Sequence, residues 1–128
     1  DRIDIHIEVP PVRYHDLSSL ACGESSAVIR ERVAVCRTRQ RIRFRHTPHV
    51  TCNAAMSARE VQSFCALGAD AADLLKMAMS ELNFSARAYD RIVKVARTIA
   101  DMADAETIGA EHISEAIQYR SLDRLMWV

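Results

Sequence analysis

Between Ser85 and Ala103 the chain reads SARAYDRIVKVARTIADMA. Tyr89, Ile92, Val93, Ala96, Ile99, Ala100 and Ala103 recur there at the three- and four-residue spacing of one helical face, sustained over about five turns. Ser85 supplies the N-cap and the opposite face is charged. Weaker versions of the same pattern flank it. A helix opening at Ser25 or Ser26 carries Val28, Ile29, Val33 and Cys36 and runs to about Arg45. Ser57 and Glu60 form an S-x-x-E capping box for a short helix through Phe64, with Val61 and Phe64 on one side. Beyond Gly68, Asp70 is placed to cap a helix with Leu74, Leu75, Ala78, Met79 and Leu82 on its stripe, ending near Asn83. The last helix begins near Gly109 and turns Ile113, Ala116 and Ile117 inward, before Ser121 to Val128 trail off.

The opening DRIDIHIEV follows a different rule. Ile3, Ile5, Ile7 and Val9 alternate with Asp4, His6 and Glu8, the period-two signature of a strand with one buried face, and Pro10 and Pro11 end it. No second strand follows, so its backbone partners are expected in a sheet that lies elsewhere, and the chain reads as a fragment of something longer. The predicted fold is mainly α: a five-helix bundle preceded by an orphan N-terminal strand, with a linker from Val12 to Glu24.

Composition sets the class. At 128 residues, 49% apolar and 27% charged, the chain suits one soluble globular domain. Seventeen basic residues balance seventeen acidic ones, so affinity for nucleic acid would have to be local. Cys22, Cys36, Cys52 and Cys65 are widely spaced without a CxxC pair, which favours reduced thiols in a cytosol. The apolar runs fall far short of the roughly 20 residues that span a bilayer.

Catalytic motifs are missing. There is no G-x-x-x-x-G-K-[ST] phosphate loop and no Walker-B carboxylate, and Gly23, Gly68 and Gly109 stand isolated. The chain alone is therefore expected to bind ATP weakly or not at all and not to be an enzyme. Arg37, Arg39, Arg41, Arg43 and Arg45 form a dense basic run that reads as a cationic collar around a helix end; a solvated end favouring the C-terminal dipole is the plainer explanation, and phosphate attraction the alternative. His46, His49 and Cys52 have a spacing that could suit one metal, but structural zinc motifs pair ligands at both ends, so a solvated loop is favoured and no metal is assigned. His112, in the first turn of the last helix beside Glu111, reads as a capping and packing residue.

SARAYDRIVKVARTIADMA and EHISEAIQYRSLDR closely resemble the C-terminal domain of magnesium chelatase-like AAA+ proteins of the ComM/YifB type. DRIDIHIEVP resembles the last core strand of that family and GESSAVIRERV the start of its lid; HTPHVTC is the least family-like part. The resemblance implies residues 1–11 as the last strand of a missing core, 12–24 as linker and 25–128 as the helical lid. It implies that Arg87, after a small capping residue, is the sensor-2 arginine facing ATP phosphates, although composition alone favours a solvated arginine. Arg2, in DRID, stands at an arginine-finger position that would reach a neighbouring subunit's nucleotide in trans. Also implied are ATP and magnesium as cofactors of the parent, its AAA+ core and the neighbouring subunits of a hexameric ring as partners, and a cytoplasmic location without membrane attachment. The parent's substrate is implied to be DNA or a porphyrin awaiting metallation. Two other readings stand beside this one: a stand-alone nucleic-acid-binding module using Arg37 to Arg45, and a helical protein-interaction domain.

Overall fold

The computed structural model describes residues 3–18 and 23–120. Its helices are α1 (Tyr14–Ser18), α2 (Ser26–Arg43), α3 (Ala58–Phe64), α4 (Ala69–Glu81), α5 (Ala86–Met102) and α6 (Ala110–Gln118), with a 3-10 turn at Asn53–Ala55 before α3. The mainly α architecture agrees with the sequence. One turn of helix, α1, stands inside the expected linker; it closes through the Leu17 amide on the Arg13 carbonyl and buries no side chain. Five residues are too few to display a 3.6-residue period, so the pattern left no trace of it.

α5 is the central element. Ala88, Ile92, Val93, Ala96 and Ala100 are buried along it, and it packs against α6, α2, α3 and the 3-10 turn, while α4 reaches the bundle through α6. Alanines at 88, 96, 100 and 116 keep the facing surfaces thin, so that Leu75, Ile92, Ile108 and Ile113 can fill the centre with essentially no exposure. Phe44 and Phe64 close the α2 end with an edge-to-face contact, centroids 5.5 Å apart. Tyr89 and Ala103, expected on the buried stripe of α5, are exposed, and the charged Arg97 and Asp101 are buried in their stead.

The start of α4 differs from expectation. α4 is capped by Gly68, not Asp70; a parallel bridge between Leu67 and Ile108, with the Gly68 amide on the Ile108 carbonyl at 3.1 Å, starts the helix two positions earlier. Asp70 instead sits in the first turn, where a carboxylate favours the positive end of the helix dipole. After α4 and α5 the chain turns through Asn83 (φ 51°) and Asp104 (φ 61°), residue types that tolerate the left-handed region.

Residues 3–9 form no ladder among the described residues, and their sidedness is the reverse of the expected one. Ile3, Ile5, Ile7 and Val9 are 59, 45, 67 and 81% exposed, whereas Asp4 and His6 are half-buried. The segment lies against the bundle through polar anchors: Asp4 pairs with Arg91, the His6 amide donates to the Tyr119 carbonyl at 2.7 Å, and Arg120 donates to the Ile3 carbonyl at 3.2 Å. Without neighbouring strands the apolar face has nothing to pack on, and hydrogen bonding decides which face turns in.

Candidate functional site

The Ser85 hydroxyl accepts the Ala88 amide at 3.2 Å and begins α5. Arg87 is therefore the second helical residue, exposed on the first turn, where unsatisfied amides already make the environment positive. It borders a groove of about 700 Å³ that runs along α5 from Ala86 to Ile99, between the 3-10 turn, the C-terminal end of α6 and residues 4–7, lined among others by Ile5, Ile7, Arg91, Lys94 and Tyr119. Within the groove Lys94 meets Asp90 at 3.0 Å, and Arg91 meets Asp4. Arg87 is thus neither enclosed in the bundle nor turned away from open surface. Arg2, the other residue singled out for nucleotide contact, lies outside the described residues, as do Cys22 and Ser121 to Val128.

The arginine run does not act as one collar, because α2 aims its members in different directions. Arg43 turns inward and grips Asp101 through both terminal nitrogens, one of them at 2.8 Å, and donates to the Asn53 Oδ1 at 2.9 Å. Arg39 pairs with Asp104. Arg45 donates to the Ile42 carbonyl at 3.1 Å and to His46. Arg37 and Arg41 remain exposed, and with the exposed Arg30 they stand at seven- and four-residue spacing on one outer face of the helix.

Inside, Asn53 completes a buried polar network. Its side-chain amide donates to Asp101 at 2.9 Å and to Thr98 at 3.0 Å, and its backbone amide donates to Gln40 at 2.9 Å. Arg97, also buried, reaches Asp101 at 3.3 Å and the carbonyls of Ala105 and Glu106 at 2.7 and 2.8 Å. Burial pushes the Asp101 carboxyl up, but the hydrogen bonds from Arg43 and Asn53 and the two guanidinium charges outweigh it and hold the group below its ordinary value. The Asp101 hydrogen bond raises Arg43; burial lowers Arg97. The sequence carried a signal for this network: two charges, Arg97 and Asp101, fall on the apolar side of α5. Asn53, in a loop, gave none.

Among the described residues no group of three His, Cys, Asp or Glu is arranged to hold a metal. His112 has its expected capping place, accepting the Gly109 amide on Nδ1 at 2.9 Å. Cys36, Cys52 and Cys65 are free thiols. Burial pushes Cys65 up to about 11. At Cys52 burial also raises the thiol, but the amides of Ala55 and Ala54 and the nearby Arg37 outweigh it and bring it below the usual value. No described helix is long and apolar enough to cross a membrane.

Taken together, the described residues form a helical bundle centred on α5, with Arg87 exposed on that helix's first turn. Residues 23–120 match the family described as magnesium chelatase, subunit ChlI, C-terminal. The chain is 40% identical over 127 residues to the protein YifB of Salmonella typhimurium, 38% identical over 127 residues to the competence protein ComM of Haemophilus influenzae, and 30% identical over 121 residues to the protein Rv2897c of Mycobacterium tuberculosis. These alignments take in 98, 98 and 94% of the chain but 24% of each relative, so the chain spans about a quarter of their length. The chain belongs to the magnesium chelatase C-terminal family, a lid domain of AAA+ proteins.

Proposed function

We propose that this chain is the sensor-2 lid of an ATP-driven AAA+ motor, working in the cytoplasm as part of a hexameric ring and contacting nucleotide held by a core domain and by neighbouring subunits. The supporting observation is the exposed Arg87 on the first turn of α5, bordering an open groove. A guanidinium there presents a planar fork to terminal phosphates and adds charge stabilisation when negative charge builds on the transferred group. The groove's residues suit contact with a phosphate. They do not suit chelation of magnesium, because Asp4 and Asp90 already face Arg91 and Lys94 and Glu115 accepts the Tyr119 hydroxyl. ATP with magnesium supplies the phosphoryl group whose loss drives the cycle; the lid's part is to orient Arg87 and to move with it. Residues 1–11 would supply the last strand of the core sheet, which gives the outward isoleucine face a place to pack, and 12–24 would be the connection. Arg2 would serve as an arginine finger in trans.

Replacement of Arg87 in the full-length ATPase tests the reading. Arg87→Ala is expected to lower ATP turnover at least tenfold while the protein stays folded, and Arg87→Lys to recover only part, since an ammonium cannot form the bidentate contact. Wild-type turnover in a folded Arg87→Ala protein would remove the sensor role.

The outer row of Arg30, Arg37 and Arg41 supports a second reading, nucleic-acid binding by the domain, with DNA as the motor's substrate. Arg39 and Arg43 have carboxylate partners within the domain, so the row's outer members would carry this contact. Affinity for a DNA duplex should fall steeply with salt, and Arg37→Glu with Arg41→Glu should flatten that slope. No mobility shift at low salt would exclude it.

A further inference from the structure

Residues 3–9 bury little aliphatic surface against the helices: Ile3, Ile7 and Val9 are more than half exposed, and Ile5 is 45% exposed. The segment's anchors among the described residues include polar contacts of Asp4 with Arg91, of the His6 amide with the Tyr119 carbonyl, and of Arg120 with the Ile3 carbonyl. Arg91 sits one turn after Arg87, and both line the same groove with Asp4, Ile5 and Ile7. Four residues along an α-helix lie on one face about 6 Å apart. Whatever fixes Arg91 to the segment therefore also fixes where the Arg87 side chain starts from.

We propose that the Asp4–Arg91 ion pair is a clasp that sets α5 against residues 3–9, making Arg91 and Asp4 positioning residues for Arg87. The inference rests on the sensor reading above. An exposed ion pair between two well-packed elements contributes little, because packing already fixes both. Here one partner belongs to a segment with no helix or ladder of its own among the described residues, so loss of an anchor changes how often the segment is seated. Arg91 meets its carboxylate one turn further into α5, away from the helix terminus. If the segment continues into a core sheet, the clasp makes the sheet and the sensor helix move as one piece, and its opening lets the lid swing without dragging the sheet.

The test has two arms. In the 128-residue chain, amide exchange at His6 reports seating. Asp4→Asn and Arg91→Gln are each expected to speed it about three- to fivefold, with the buried Ile92 and Val93 amides unchanged, and the exchanged pair Asp4→Arg with Arg91→Asp to restore protection. Unaltered His6 exchange in both single variants overturns the clasp. In the full-length ATPase the same single variants should raise the KM for ATP severalfold with a smaller change in kcat, and the exchanged pair should recover it. The Arg87→Ala variant runs alongside to separate the two claims. If Arg87→Ala is impaired while the clasp variants match wild type, the clasp inference fails alone; if Arg87→Ala is itself silent, the sensor reading fails and takes the positioning role with it.

Discussion

Asp101 is the residue on which most of the domain's buried polarity converges. Its carboxylate is 1% exposed and meets Arg43, Arg97 and Asn53. Removing one member strands the others, so Arg43→Met is expected to destabilise the chain by about 3 kcal/mol in urea unfolding, and Asn53→Ala by about 2 kcal/mol, because it leaves Asp101 and Thr98 each one donor short. The pH dependence follows from the direction of the Asp101 shift. Its folded value lies below the ordinary carboxylate value, so its contribution is fully present above about pH 4 and is lost as pH falls through the depressed folded value. Urea midpoints measured from pH 5 down to pH 2.5 should fall less steeply in Asp101→Asn than in wild type, from a lower starting stability. At the cysteines the contrast runs the other way. A thiol-specific alkylating reagent at pH 7.5 should modify Cys52 well before Cys36 and Cys65, since Cys52 is partly exposed with a lowered thiol and Cys65 is buried with one pushed up to about 11; faster labelling of Cys65 would contradict this.

At the scale of elements, α5 depends on its first turn. Ser85→Ala removes the hydroxyl that accepts the Ala88 amide and should cost about 1 kcal/mol; Ile92→Ala, at the fully buried centre, should cost about 3 to 4 kcal/mol by the same urea measurement. α5 was legible in the sequence because its stripe is long and its cap is adjacent. α2 was legible as a helix but not in its packing: Val28, Ile29 and Val33 look like a core stripe, yet they are 46, 43 and 44% exposed, and only Cys36 and Gln40 within the helix are buried. The reason is one of reach. α5 lies against the C-terminal half of α2, and a periodic pattern shows which face is apolar without showing where a neighbour stops. Residues 3–9 make the same point, since alternation identified an extended segment while polar anchors decided which side faces the bundle.

For the whole molecule, the site was legible only where a motif carried it. Arg87 stood out because SARAYDRIVKVARTIADMA resembles a known lid helix; periodicity alone made it one surface arginine among many. The groove beside it was not legible, because it is assembled from residue 4 at one end of the chain and residue 119 at the other. The lid account requires that a triphosphate held by another domain be felt at this turn of α5. Amide exchange in the full-length ATPase, compared among the nucleotide-free, ADP-bound and non-hydrolysable ATP analogue-bound states, addresses that requirement directly. The account predicts that the amides from Arg87 to Arg91 gain protection with the triphosphate analogue, lose most of it with ADP, and show no such difference in Arg87→Ala. Identical exchange across this turn in all three states of the wild-type protein would contradict it.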